Sequence, residues 1–211
     1  MHMKMNICFT LFFLLSAVAG YSQTAKDILD ETASRLKKSG GIQATFEATS
    51  FLGTTEKGST NGTICVKGSK FKVNTSDACI WFDGKKQWSL YANSDEVNVS
   101  TPTPEEIQSI NPYTFIELYK QGYDLSLKEV AYRNESCYEI TLSAQDQHAK
   151  LREMKVIVDK HKFYPRSVRL KQGNDWFRVR ILNLKTNQKW SDKYFEFDQK
   201  EYPNIDVIDL R

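Results

Sequence analysis

Apolar positions along this chain follow two periods. From Ala25 they recur at helical spacing through Ile28, Leu29, Thr32 and Leu36, which predicts a helix over 25–38 with one buried stripe. Thr24 and Asp27 form a T-x-x-D start signal, Lys37 and Lys38 suit the negative end of the dipole, and Gly40-Gly41 stop the run. From Ile42 the period becomes 2. Ile42, Ala44, Phe46 and Ala48 alternate with Gln43, Thr45, Glu47 and Thr49, a strand with one apolar and one polar face. Turns are expected around Gly53, and around Gly58 and Asn61-Gly62. Short strands follow at 63–67, 70–74, 78–82, 86–92 and 96–100, separated by Gly68-Ser69, Thr75-Ser76-Asp77, Asp83-Gly84 and Asn93-Ser94-Asp95. Strands this short and this tightly joined pair as antiparallel neighbours.

The meander breaks at Thr101-Pro102-Thr103-Pro104. Residues 104–121 are predicted as a helical insertion, with an acidic first turn at Glu105-Glu106 and a restart at Asn111-Pro112. Strands resume at 124–130, 136–142, 154–159, 165–171, 176–184 and 194–197, with hairpin turns at Arg133-Asn134, Gln145-Asp146, Lys160-His161 and Gly173-Asn174; the tail from 203 reads as extended. About twelve twisted strands must curl or split into two layers, and curling yields an open or nearly closed barrel whose inner face needs filling. No linker, low-complexity run or repeat divides the chain, so residues 20–211 form one domain.

The N-terminus changes the picture of where this domain works. Lys4 is the only formal charge among residues 1–25, an apolar run follows from Ile7 to Ala19, and Ala17-Val18-Ala19 is an A-x-A site. That is a secretory signal, 1–19, cleaved after Ala19 or as late as Ser22. A run of about 13 residues is too short for the ~30 Å hydrocarbon core. Cys8 lies inside it and leaves with the signal, so the mature chain is expected to be an unanchored monomer of the periplasm. Loss of Lys4 takes the net charge from +3 to +2, which gives no reason to expect nucleic acid. Of the three remaining cysteines, Cys65 and Cys79 lie a whole strand apart, roughly 9.6 Å, beyond the ~7 Å a disulfide tolerates; free thiols are expected.

Catalytic signals are missing. No G-x-S-x-G, C-x-x-C, Walker loop or dinucleotide fingerprint occurs. His148 and His161 sit in charged turns, and Asp159 with His161 is short of a metal ligand set. Cys79 and Cys137 have no adjacent histidine. The reading is a protein that is not an enzyme and holds neither cofactor nor metal. What stands out is the aromatic content, twelve Phe, ten Tyr and four Trp, and the apolar faces of the early strands. There Phe46, Ile64, Val66 and Phe71 are joined by Val73, Phe82, Trp88 and Leu90 as candidate cavity lining. From the insertion, Ile107, Ile110, Phe115, Ile116 and Tyr119 form a candidate lid. These apolar residues make either a packed core or a covered groove, which acyl chains enter by burial alone at about 0.8 kcal/mol per methylene.

The stretch Gly62-Thr63-Ile64-Cys65-Val66-Lys67-Gly68-Ser69-Lys70-Phe71-Lys72-Val73 resembles the early hairpin of LolA-type lipoprotein carriers. Asp83-Gly84-Lys85-Lys86-Gln87-Trp88 resembles their D-G-K-x-x-W turn, and Asn111-Pro112 with Phe115-Ile116 resembles their lid helix. The likeness covers nearly all of the mature chain. It implies a mainly β protein, an unclosed antiparallel β-barrel of about eleven or twelve strands with an N-terminal helix and an α-helical lid over a hydrophobic cavity. It implies carriage of lipoprotein acyl chains, or another lipid, from an inner-membrane ABC-type releasing complex to an outer-membrane acceptor, with Phe71 at the cavity mouth. It also implies an alternative, an RseB-like lipid sensor that binds a membrane regulator. Where carriers have Arg-Pro before that Phe to hold the lid, this chain has Gly68-Ser69; Lys67 or Lys70 is then the candidate substitute, and the departure implies either a specialised paralogue with its own cargo or an apo-stable binder of some other lipid.

Overall fold

The computed structural model describes residues 23–103, 106–107, 119–120, 122–149 and 151–211. The signal and the body of the insertion, with Ile110, Phe115 and Ile116, lie outside the described residues. Helix α1, Ala25–Lys38, begins as its sequence requires: Thr24 Oγ1 accepts the Asp27 N–H at 3.2 Å and the Asp27 carboxylate accepts the Thr24 N–H at 3.0 Å. Its buried stripe is Ala25, Ile28, Leu29, Thr32 and Leu36.

Twelve strands follow: β1 Gly41–Leu52, β2 Thr55–Lys67, β3 Lys70–Thr75, β4 Ala78–Phe82, β5 Gln87–Tyr91, β6 Glu96–Ser100, β7 Tyr123–Tyr132, β8 Glu135–Ala144, β9 Leu151–Asp159, β10 Pro165–Gln172, β11 Asp175–Gln188 and β12 Asp206–Asp209. They form one sheet in the order β12-β6-β5-β4-β3-β2-β1-β11-β10-β9-β8-β7. The first meander runs outward from β1 to β6. The chain then crosses to the far edge, meanders back from β7 to β11, and seats β11 against β1. The outermost strands, β12 and β7, are not paired to each other, so the barrel is unclosed.

Two local expectations are corrected. The turn expected at Gly58 and Asn61-Gly62 is absent, because β2 runs straight through from Thr55 beside β1. Gly62 is there for a contact: a Cβ would sit 2.5 Å from Phe46 Cζ and 2.8 Å from the Asn74 carbonyl. The strand expected at 194–197 is instead a 3-10 turn, Asp192–Phe195. Its aromatic residues carry strand propensity, yet they pack as a knot rather than as a ladder. The tail, extended as expected, contains β12, which pairs parallel with β6, the one parallel pair among the described strands.

The hairpin turns at Arg133-Asn134 and Gly173 hold positive φ, 52°, 63° and 59°, as tight turns between twisted strands demand. Cys65, Cys79 and Cys137 are free. Cys65 stands opposite Lys72 and Cys79 opposite Asn74, with β3 between them.

The two mid-strand glycines give a test with opposite signs. Gly62→Val should destabilise by about 1–3 kcal/mol through overpacking. Nothing lies within 4 Å of a Cβ at Gly58, so Gly58→Val should be neutral or stabilise by up to about 1 kcal/mol through better strand propensity. Urea unfolding midpoints of the two variants check this.

Candidate functional site

Residues directly opposite in antiparallel strands share a face, so the register sorts the candidate lining. One cross-strand row is Ile42, Val66, Phe71, Phe82, Gln87 and Ser100; the next is Ala44, Ile64, Val73, Ile80, Ser89 and Asn98. Both rows run from apolar side chains on β1–β4 to polar ones on β5 and β6. Ala44, Ile64, Val66, Phe71 and Phe82 form one buried cluster, with Phe46, Val73, Ile80, Ile107 and Ile181 half-buried around it. Six of the eight expected lining residues, Phe46, Ile64, Val66, Phe71, Val73 and Phe82, therefore meet on one surface. Ala44, Ile80 and Ile181 belong with them and could have been found by strand parity, since Ile80 shares its face with Phe82.

Trp88 and Leu90 do not belong. The hairpin pairs Phe82 with Gln87, which turns Trp88 and Leu90 to the opposite, outer face beside Trp81, Val97 and Val99. The Asp83 carboxylate sets that register by accepting the N–H groups of Lys85 and Lys86, each at 2.7 Å, while Gly84 takes φ 99°. Phe71 also differs from its expected place at a mouth: it is 0 % exposed, with its ring 5.0 Å from that of Phe82.

The same inner face continues across β7–β10, where α1 seals it. Ile28 and Leu29, both 0 % exposed, pack with Ile140, Leu142, Met154, Val156 and Val168. Burial of each is worth about 1.5–3 kcal/mol. Tyr119, from the end of the insertion, joins this cluster and donates its hydroxyl hydrogen to the Asp30 carboxylate on α1. The Lys26 ammonium, and then the Tyr119 hydroxyl, hold the Asp30 carboxyl below its ordinary value.

At its other end the insertion begins with a cap that the sequence reading passed over. The Glu106 carboxylate accepts the Thr103 N–H at 2.7 Å, and Thr103 Oγ1 accepts the Glu106 N–H at 3.3 Å. The signal was T-x-x-E. Ile107 follows and packs on the β1–β4 cluster. The insertion thus touches α1 at one end and the apolar rows at the other. A cleft of about 550 Å³ opens between the polar row ends, Gln87 and Ser100, the start of the insertion and the C-terminal Leu210 and Arg211.

The outer face of β2–β6 is covered by a C-terminal strap. Trp81, 1 % exposed, takes Phe197 and Tyr202 edge-on at 5.6 and 5.7 Å, and Trp190 stacks on Tyr194 at 5.6 Å. Lys67 and Lys70 both pair with Asp192 of the strap, at 3.0 and 3.1 Å. They point away from the inner face, so neither substitutes for a lid-holding arginine. The thiols of Cys65 and Cys79 lie under or beside this cover, where burial raises that of Cys65 and pushes Cys79 up to about 11; on β8, burial raises that of Cys137. His148 and His161 are exposed, the Asp159 carboxylate accepts the backbone N–H groups of His161 and Lys162, and no group of metal-ligating residues occurs among the described residues. No described helix is long and apolar enough to cross a membrane.

Solved structures share this architecture. An uncharacterised conserved protein from Thermus thermophilus superposes with a TM-score of 0.59 at 13% identity, over 89% of this chain and 99% of that one. A LolA superfamily protein from Nitrosomonas europaea gives 0.45 at 12%, over 84% and 99%. MucB in the Pseudomonas aeruginosa MucA/MucB complex gives 0.44 at 14%, over 83% and 61%. At such identities the first shows the fold. No curated protein sequence matches at a significant level. The family profile described as outer membrane lipoprotein carrier protein LolA matches residues 15–174.

The burial of Cys79 predicts its reactivity. A thiol raised from 9.0 to about 11 holds about 100-fold less thiolate at pH 8. Iodoacetamide should label Cys79 of the folded protein correspondingly slowly, with the rate climbing through pH 11 and the difference vanishing in urea; peptide mapping by mass spectrometry reads it. Phe71→Ala should cost about 3–5 kcal/mol of stability, measured by urea unfolding.

Proposed function

As the chain belongs to the family of the outer membrane lipoprotein carrier protein LolA, we propose that it carries acyl chains of a lipoprotein, or of a related lipid, against the inner face of β1–β4. The observation that carries this reading is the gradient along the two cross-strand rows. On β3 and β4 they present half-buried Val73 and Ile80, flanked by Phe46 of β1 and Ile181 of β11 in the next row; on β5–β6 they present Gln87, Ser89, Asn98 and Ser100. An acyl chain laid over the apolar part leaves water at roughly 25 cal/mol per Å² of surface. Its polar head group faces hydrogen-bonding side chains at the rim. The 104–121 insertion serves as the cover, anchored by Ile107 at one end and Tyr119 at the other.

Binding of this kind uses no nucleophile, base or metal, in keeping with a carrier rather than an enzyme. The secretory signal read at 1–19 supports a periplasmic working place, where an inner-membrane ABC-type complex would load the protein and an outer-membrane acceptor unload it. Cargo passes along such a route only if the chain is soluble and binding is reversible. A surface that gains its affinity from burial alone, without a charged clamp, supports reversibility.

The full-length protein, secreted by a bacterial host and purified without detergent, tests the proposal. Native mass spectrometry should find acylated species bound, and N-terminal sequencing should start at Gly20 or Gln23. A fluorescent fatty acid should bind and be displaced by lipopeptide. Val73→Glu and Ile80→Glu, at half-buried positions, should each weaken that binding at least about tenfold, since a carboxylate on the apolar row must be desolvated. Uptake of no acyl probe by the wild-type protein, or equal affinity in both variants, would rule the reading out.

A further inference from the structure

We infer that the outer face of β1, β11, β10 and β9 is a docking surface for an acidic protein partner. The acyl-binding reading does not enter the argument, because this is the other side of the sheet. The strap covers the outer face of β2–β6 and stops there, and α1 lies on the inner face. Three cross-strand rows lie at the centre of the surface that remains: Glu47–Arg180–Ser167–Ile157, then Thr49–Arg178–Arg169–Lys155, then Phe51–Trp176–Lys171–Glu153. Five cations stand there beside two carboxylates, with Glu56 at the β2 margin.

The middle row sets Arg178, Arg169 and Lys155 directly opposite one another. Like charges in register destabilise a sheet, so folding does not call for this row. The carboxylates present do not neutralise it. Glu47 pairs with Arg180 and lies 3.8 Å from Arg178, and Glu153 lies 3.4 Å from Lys155. Arg169 has no carboxylate within ion-pair distance among the described residues, nor does Lys171.

Aromatic rings hold the cations in place instead. The Arg169 guanidinium lies 4.7 Å over Trp176 and 6.0 Å from Phe51, Arg178 lies 5.0 Å over Phe51, and Lys171 5.6 Å over Trp176. A guanidinium stacked on a ring has lost rotamer freedom before any partner arrives and keeps its N–H fork free for a carboxylate. The Nε atoms of Arg169, Arg178 and Arg180 are buried without an acceptor, so these side chains lie along the sheet rather than out in water.

That arrangement selects the kind of partner. Arginine and aromatic rings in a half-buried patch are the composition of a protein interface centre. In a membrane anchor the apolar groups project beyond the cations and insert; here the rings lie beneath them. A second copy docked by two-fold symmetry would set this patch against itself, positive on positive. Carboxylates of a different protein supply the missing charge and would speed the encounter.

The probe is a fluorescein-labelled peptide of repeating Glu-Glu-Tyr, with binding followed by anisotropy at two salt concentrations. The full chain should bind it, more weakly at higher salt. Arg169→Gln/Arg178→Gln should weaken binding at least about tenfold, and the equal charge loss Lys37→Gln/Lys38→Gln on α1 less than about twofold. The patch variant should melt no lower than the wild type, since the opposed row is relieved; if it melts lower, Lys155→Gln is the replacement variant and should weaken binding in the same direction. Equal losses in the patch and helix variants, or no loss in either, overturn the proposal. So does patch-dependent binding to phosphatidylglycerol vesicles without peptide binding, which assigns the face to a membrane. A patch-dependent dimer in sedimentation velocity overturns it in favour of a second copy.

Discussion

A twelve-stranded sheet has two broad faces, and the longest helix among the described residues that covers them has fourteen residues. Every apolar residue left facing water forgoes about 25 cal/mol per Å², so the distribution of cover decides the rest of the molecule. Helix α1 goes to the inner face of β7–β10 and makes a dry core there, with Ile28, Leu29, Ile140, Met154 and Val158 at 0 % exposure. On the inner face of β1–β4 the described part of the insertion contributes Ile107. On that side Phe71 and Phe82 are buried, whereas Phe46, Val73, Ile80 and Ile181 stay half-buried. A dry core and a less deeply buried apolar surface thus share one face of one sheet, with α1 lying over the first.

The outer face of β2–β6 is closed by chain after β11. The strap brings Trp190, Tyr194, Phe195, Phe197 and Tyr202 onto Trp81 and its neighbours, and ends by adding β12 to β6. The pairs from Lys67 and Lys70 to Asp192 are exposed, and such pairs contribute little to stability. What they do is fix where the strap begins to cross. The family match ends at residue 174, before β11 and the strap. Yet β11 is the strand that joins the two meanders, through β1 on one side and β10 on the other. Sheet continuity therefore depends on residues beyond the matched segment.

Much of this was legible from period alone. The helix and its cap stand where Thr24, Asp27 and the 3.6-residue spacing put them. The strands of the first meander fall between their turn residues, and the second meander follows Arg133-Asn134 and Gly173-Asn174. Where structure and pattern differ, a residue type that suggests local geometry reports a distant contact instead. Gly62 signals a turn by composition, but the ring of Phe46 requires it 16 positions away. Tyr194 to Phe197 signals a strand by propensity, but its rings answer to Trp190 and Trp81. Lys67 and Lys70 flank the position of a lid-holding arginine, but Asp192, far along the chain, draws them to the other side. Such contacts have no period to read.

The assignment of Trp88 and Leu90 failed for a more instructive reason. Alternation tells which residues share a face of a strand, but not which face is the inner one. On β1–β4 the apolar set points inward. On β5 and β6 the apolar set is Trp88, Leu90, Val97 and Val99, and it points outward, while Gln87, Ser89, Asn98 and Ser100 point inward. The inversion occurs at one hairpin, set by the Asp83 carboxylate and the pairing of Phe82 with Gln87. A slip of one residue there would exchange the two faces of β5. The inversion is stable only because the strap is available to cover an outward apolar face. The polar rim of the inner surface and the aromatic strap on the outer one are therefore two sides of the same strands, and neither arrangement is tenable without the other.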